Sequence, residues 1–440
     1  MKILKLKNIL GFLMVSFTIL PFSLQEVLYG ADIPDVEDVI EEKAVVPTIE
    51  ALTGGKVKEG DLINKDNVDL VKEYISPGLY ETVKQGFVMR IGKQVPPEKM
   101  VPEYFKKITR ENRGKAIIDE NGTAYYENME TRWPGGVPFP NPQTGLEAVS
   151  NFKYGYVYDA WRMYPSLMKY TNAKGKTYKT AKMEQLYYTY NTRTKNAPLG
   201  AAPGYENILY KRISIFHTPL ELKGIGQYTV RHYDDAKHFD KGFAYISAFK
   251  RTIRVSATTW QDNIGGSDWT YGDGGGLADP LSYWKFKLIT KRYMLLPEPD
   301  APFSYVNDET GDVDERLQFT VGKKFPIFGW AIWPVVEVEG TPTIKHVYGK
   351  KTFFINLWPY WPSAWAIGLV DLYDRQQKLW KINWNRRDHR SWEGQNYTAT
   401  VGGPMYDLQT QHMTEFWVSE NPWKATPSYV NLDLLFKLGR

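Results

Sequence analysis

Cysteine is absent from the 440 residues. That excludes disulfides, thiol nucleophiles and cysteine-ligated metals. It also excludes the acylated N-terminal cysteine of a bacterial lipoprotein. Histidine is scarce: the six histidines, His217, His232, His238, His346, His389 and His412, lie in separate segments. No HExxH pair, P-loop or nucleophile elbow is present, so the familiar hydrolase and phosphoryl-transfer layouts are missing. A charge excess of one sign is lacking as well. Lys and Arg number 55 against 50 Asp and Glu, for a net charge of +5. Apart from the short Arg386–Arg390 run there is no basic stripe, and no nucleic-acid partner is expected. The N-terminal apolar run, Ile9 to Leu20, is too short and interrupted for a comfortable membrane span.

What is there begins at that run. Lys2, Lys5 and Lys7 precede it, and Leu28-Tyr29-Gly30 offers a small residue for cleavage before Ala31. This is the layout of a secretory signal peptide over residues 1–30. Residues 31–60 read as an acidic, then glycine-rich arm, and no linker divides residues 61–440, which read as one domain. Aromatics make up 15% of the chain. They are strand formers with large apolar area, so composition leans toward sheet and toward apolar or stacking surfaces.

The chain is organised around residues 241–290. Phe243 to Ser247 reads as a short aromatic strand, followed by a polar corner at Ala248 to Lys250. In Arg251 to Thr258, Ile253 and Val255 share one face and Thr252, Arg254 and Ser256 the other, the period of a half-buried strand. Gly265-Gly266 opens Ser267 to Tyr271, which alternates again and predicts another strand; Asp273 and Gly274 to Gly276 end it. Upstream, Asn64 precedes an expected helix carrying Val68, Val71 and Ile75, and a second helix, through Leu79 and Val83, stops at Gly86. Glu103 to Glu111 and Leu146 to Tyr154 read as helices. Asn121-Gly122 predicts a two-residue hairpin turn. From Tyr156 onward, successive strands with polar corners and helices mostly at the N-terminal end argue an α+β fold with a large antiparallel sheet.

Four ordered blocks carry a resemblance. They are Gly60-Asp61 through Pro77-Gly78-Leu79-Tyr80 to Gly86; Gly136-Val137-Pro138-Phe139-Pro140 with Gly145-Leu146 and Asn151-Phe152; Tyr245 through Arg251 and Arg254 to Gly266-Ser267-Asp268-Trp269-Thr270-Tyr271; and Tyr406-Asp407-Leu408-Gln409 with His412. Together they resemble an exported Gram-negative family of unknown function in the outer-membrane lipoprotein-sorting (LolA/LolB-like) superfamily. Ser267 stands where threonine is expected, and Gly272 where an acid is common. The resemblance implies a strongly curved antiparallel sheet, an incomplete barrel, with helices over its concave face and an apolar cavity between. It implies a periplasmic carrier or binding protein for a lipid or other hydrophobic molecule, peripheral to the outer membrane at most. An inner-membrane efflux-type transporter or an outer-membrane barrel is the implied partner.

On that frame Trp269, Tyr271, Ile253, Val255 and Tyr245 are candidates for an apolar cavity wall. Arg251 and Arg254 either bind an acidic headgroup at its mouth or pair with Asp268 or Asp262 across strands. Asp234, Asp235, His238 and Asp240 read as a solvated loop rather than a metal site. Asp268, Asp273 and Asp279 lack the spacing of an EF-hand calcium loop. No cofactor or metal is expected, and no catalytic residue is assigned. Two other readings remain. The aromatic run Phe353 to Trp365 could form a platform for glycan or envelope surfaces, or pack as core. Carboxylates such as Glu393 and Asp407 could act in a hydrolase, which requires them to face one another ~5–9 Å apart.

Overall fold

The computed structural model describes residues 45–93, 101–156, 158–255, 260–298, 329–357 and 367–439. The expected signal peptide, most of the acidic arm and residues 358–365 of the aromatic run lie outside them. The helices are α1 (Ile49–Leu52), α2 (Pro77–Lys84), α3 (Glu103–Asn112), α4 (Gly145–Tyr154) and α5 (Leu432–Leu438). Two short strands, β1 (Leu62–Ile63) and β2 (Met89–Ile91), and a separate hairpin, β3 (Ala116–Ile118) and β4 (Ala124–Tyr126), accompany the N-terminal helices. The first run of long strands is β5 (Ala160–Thr171), β6 (Thr177–Thr189), β7 (Ile208–Thr218), β8 (Gly226–His232), β9 (Lys241–Ile246) and β10 (Arg251–Val255). The second is β11 (Trp284–Glu298), β12 (Gly329–Pro342), β13 (Lys350–Asn356), β14 (Ile367–Tyr373), β15 (Leu379–Trp384), β16 (Arg386–Trp392), β17 (Gln395–Asp407) and β18 (Met413–Pro422).

Each run is an antiparallel meander, as expected for consecutive strands joined by short corners. The two meanders join where β18 pairs with β5, from Met413↔Thr171 to Pro422↔Trp161. Asn385 breaks one long strand into β15 and β16, both paired with β17. There Gly402 sits at φ +108°, and a side chain would strike the Phe416 carbonyl, so only glycine fits. Among the described residues the one parallel pairing is β2 beside the start of β12. The sheet ends at β10 and does not close into a barrel. It is strongly curved. Gly402 of β17 and Val255 of β10 line one cavity although seven strand steps separate them, a span of about 34 Å in a flat sheet.

Both faces of the β12–β15 region are covered. Val336, Val338, Phe353, Ile355, Val370 and Leu372 meet α4 and the segment 260–281. Their alternate neighbours Val335, Phe354, Leu369 and Ile382 meet the N-terminal section with Val71, Leu79 and Phe87. This explains the continuous apolar run Phe353-Phe354-Ile355: a strand buried on two sides has no polar face. Helices therefore lie on both faces of the sheet, α4 on the face that holds the cavity and α2 on the other. Gly78 of α2 packs so closely that a Cβ would stand 2.2 Å from Asp371 Oδ1. Asp371 accepts the Gly78 N–H at 2.8 Å and the Ser76 hydroxyl at 2.9 Å. Burial nevertheless pushes its carboxyl up to about 7, against those two donors.

Several local expectations change. Residues 68–74 form a 3₁₀ turn, not an α-helix. The Asn121-Gly122 hairpin is present, but its loop is three residues long: Asp119 N–H bonds Thr123 O, Gly122 N–H bonds Asp119 O, and only Gly122 has positive φ, at +84°. That is the type I turn followed by a left-handed glycine of three-residue hairpins. Residues 343–348, between β12 and β13, are loop. The C-terminal helix α5, absent from the sequence reading, covers Tyr188, Ile213, Ile215 and Tyr228 on the outer face of β6–β8. Asn431 caps it through the Leu434 N–H at 2.8 Å.

Candidate functional site

The expected strand 267–271 is a loop, and that loop builds the site. Ile264-Gly265-Gly266-Ser267 is a tight turn with both glycines at positive φ (+57° and +76°), closed by Ser267 N–H to Ile264 O. Ile264 N–H bonds Trp269 O and Tyr271 N–H bonds Asp262 O, so residues 262–271 make a small hairpin outside the sheet. Its alternation is real, but its partners are its own two arms and the side chains beneath. A 3₁₀ turn, Tyr271–Gly276, carries the chain onward.

Buried polar contacts pin this flap over the sheet. Asp268 accepts from Thr414 Oγ1 at 2.7 Å and meets His412 Nδ1 at 2.6 Å, and Trp269 Nε1 donates to Thr414 O. Asp273 is 1% exposed and receives four donors: the Thr270 N–H and hydroxyl, Tyr348 OH and Lys351 Nζ, each at 2.8 Å. Burial alone would raise the Asp273 carboxyl, but Lys351 and these hydrogen bonds hold it below the usual carboxylate range. Arg231 of β8 binds Asp235 and Asp240, donates to Ala278 O at 2.7 Å and stacks on Trp260. The acids considered as metal ligands are thus ion-pair partners: Asp235 and Asp240 for Arg231, Asp234 for Lys237, and Asp273 for Lys351. No group of three or more acid, histidine or cysteine side chains is arranged to hold a metal ion among the described residues.

Between flap and sheet lies a cavity of about 530 Å³. That is within the ~300–1,000 Å³ of small-molecule sites. Its walls divide by chemistry. Met168, Met183, Phe216, Ile264 and Phe416 form one end, where methionine supplies adaptable apolar contact, and Met163 stands across from Gln185 in the middle. At the other end one cross-strand row carries Gln185, Ser214 and Gln227, and the next carries Tyr187 and Arg212. Trp269 and Tyr271 contribute from the flap, and Ile253, Arg254 and Val255 from the edge strand β10. Burial of the Tyr271 phenol raises its pKa.

Of the residues singled out from sequence, Trp269, Tyr271, Ile253, Val255 and Arg254 are brought together around this cavity. Tyr245 is not. It faces the opposite side of β9, in edge-to-face contact with Phe436 of α5 at 5.4 Å. The residue of β9 that lines the cavity is Ala244, paired with Gln227 and Ile253. Alternation along the strand places Tyr245 opposite Ala244. Strands β9 and β10 lie at the edge of the sheet, not at its centre. Arg251 is exposed, and Asp268 is engaged by His412 and Thr414 rather than by either arginine. Arg212, Gln185 and Gln227 were missed. Their signal was the alternation Ile213-Ser214-Ile215 on β7, which sets Arg212 and Ser214 on the face opposite Ile213 and Ile215.

A larger groove of about 1,240 Å³ runs beside residues 72–85. Charged side chains such as Lys72, Glu73, Glu81 and the paired Arg292 and Glu337 (2.9 Å) line it, which suits water better than an apolar ligand. Asp268, His412 and Tyr178 form a hydrogen-bonded chain, with Tyr178 OH 2.9 Å from His412 Nε2, but none of the three lines either cavity. Glu393 binds Lys195 and Lys424, whereas Asp407 accepts from Trp380 Nε1 and from the Gln409 and Thr410 N–H groups. The two acids have separate structural partners.

An open, curved antiparallel sheet with a covered cavity defines the class of protein. A family model, "Protein of unknown function (DUF1329)", matches residues 62–430, and the chain belongs to that family. Among solved structures it is similar to an outer membrane lipoprotein-sorting protein domain from Vibrio parahaemolyticus (18% identity, 67% of this chain and 98% of that one, TM-score 0.43). A DUF1329 family protein from Desulfovibrio piger matches at 11% identity, over 66% of this chain and 98% of that one, with a TM-score of 0.43. A LolA superfamily protein from Nitrosomonas europaea matches at 10% identity, over 67% of this chain and all of that one, with a TM-score of 0.39. No curated protein matches the chain.

Proposed function

We propose that the protein is a non-enzymatic carrier or binding protein of the cell envelope that takes a hydrophobic molecule between the 260–281 flap and the β5–β10 half of the sheet. The observation that carries this reading is the cavity: about 530 Å³, with methionines and aromatics at one end, roofed by a flap that the chain fixes in place. Burying apolar ligand surface there is worth ~25 cal/mol per Å² before the costs of association. The signal-peptide layout of residues 1–30 supports a periplasmic location. A transporter or outer-membrane barrel that loads or unloads the cavity is the partner this reading calls for. Of the aromatic-platform alternative, Phe353 and Phe354 are buried in the core, and Trp358, Trp361 and Trp365 lie outside the described residues.

The test is binding of a fluorescent fatty-acyl probe to the purified mature protein, alongside Ala244→Trp. Ala244 lines the cavity, and an indole there fills it without touching the flap anchors. Wild type should bind and the variant should lose at least tenfold in affinity at an unchanged melting temperature. A folded wild type that binds no hydrophobic probe refutes the reading.

A further inference from the structure

Arg212 sets the chemistry of the cavity's polar end. It stands mid-strand on β7, on the face that looks at the flap, and lines the cavity beside Tyr271. Its guanidinium donates from Nη1 to Tyr187 OH at 3.3 Å, and its Nε is buried with no hydrogen-bond partner. No carboxylate lies within ion-pair reach of it among the described residues; Asp240, already paired with Arg231, acts on it only from farther off, and Asp262 lines the cavity without pairing with it. Other arginines of the fold are neutralised: Arg231 by Asp235 and Asp240, Arg162 by Glu184, Arg193 by Asp159 and Arg292 by Glu337. An arginine cannot shed its proton to escape burial, so an enclosed guanidinium without a counter-ion is costly. A second orphan stands nearby, since Gln227 Oε1 is also buried without a partner. The amide can turn and present its Nε2 instead. One end of the cavity thus offers unused donors and a fixed positive charge, and the other end is lined by Met168, Met183, Phe216, Ile264 and Phe416.

We propose that the ligand is a single-chain amphiphile with an oxyanion head: the chain lies among the methionines, and the head pairs with Arg212. This rests on the carrier reading above and narrows it to a ligand class. A planar guanidinium fork matches carboxylate and phosphate oxygens alike, so a long-chain carboxylate and an alkyl phosphate share the chemistry. The arrangement rejects neutral chains by leaving Arg212 unpaired, which is how a buried polar site discriminates.

The experiment measures affinities of palmitate, hexadecyl phosphate and hexadecanol for the delipidated, purified protein and for Arg212→Gln and Arg212→Lys, with melting curves to confirm folding. Wild type should prefer one or both anions over the alcohol by about tenfold to a hundredfold, the range of a charge-assisted hydrogen bond. Preference for one anion identifies the head. Arg212→Gln should abolish the preference by weakening anion binding about tenfold or more, while hexadecanol, no longer stranding a buried charge, binds at least as well as to wild type. Arg212→Lys, which keeps the charge if Gln unfolds the chain, should retain part of it. Equal binding of all three ligands, or a preference that survives in folded Arg212→Gln, overturns the assignment and leaves the carrier reading intact. Failure of wild type to bind any of the three overturns both.

Discussion

Asp371→Asn tests how the N-terminal section is fastened to the sheet. The carboxyl is fully buried, accepts the Gly78 N–H and the Ser76 hydroxyl, and has its pKa pushed by burial from 3.8 to about 7. Because the folded value lies above the unfolded one, the folded protein holds more protons between these two pH values. The contribution is fully present below about pH 4 and is lost as pH rises toward 7. Three units correspond to about 4 kcal/mol, and the part crossed between pH 5 and pH 8 to about 3 kcal/mol. Asparagine does not titrate. Its amide protons lack partners, which costs about 1–3 kcal/mol, but that cost is the same at every pH. The assay is urea denaturation of both proteins at pH 5, 6, 7 and 8. Relative to wild type, Asp371→Asn should gain about 3 kcal/mol from pH 5 to pH 8, with histidine contributions cancelling. A difference that stays constant within about 0.5 kcal/mol refutes the buried, proton-holding carboxyl.

Lys351→Met leaves Asp273 buried without its ammonium and should destabilise by about 3–5 kcal/mol in thermal or urea melts, with Lys351→Met/Asp273→Asn recovering part of it. In wild type the lowered Asp273 carboxyl contributes stability above the ordinary carboxylate range that is lost as pH falls through its folded value, so the Lys351→Met penalty should shrink below about pH 4. Gly122→Val meets both the positive φ and Leu281, 2.8 Å from where a Cβ would sit; it should cost more than about 2 kcal/mol in the denaturation midpoint. Trp269→Ala removes a largely buried indole and its bond to Thr414 O; it should cost about 3–5 kcal/mol and enlarge the cavity, read as weaker binding of a short-chain probe at temperatures where the variant is folded.

The edge strand was legible from the alternation of Ile253 and Val255 with Thr252 and Arg254, but its burial does not follow that alternation: Ile253 is 53% exposed, and Arg254 lines the cavity with Ile253 and Val255. The same rule misled at Ser267 to Tyr271, since alternation records which side chains share a direction and not which backbone pairs with which. Asp268 and Trp269 find their partners about 145 residues away, at Thr414, and such contacts leave no local trace. Tyr245 attracted attention as an aromatic, whereas the cavity uses the small Ala244 across the pleat. A seven-residue helix such as α5 is too short for its periodicity to stand out, although Asn431, Asp433 and Lys437 mark its ends. The Arg212 environment depends on which acids are near in space, and sequence order carries no such distance.

The seam between β18 and β5 bears on the order in which the chain can become a protein. β5 gains its second neighbour only when β18 is available, some 240 residues further along. Until then the first meander has two open edges, β5 and β10, and the flap has no Thr414 to hold it. The cavity therefore forms only once almost the whole polypeptide is available, and until then the β5 edge is the place where a chaperone or an aggregating neighbour would attach.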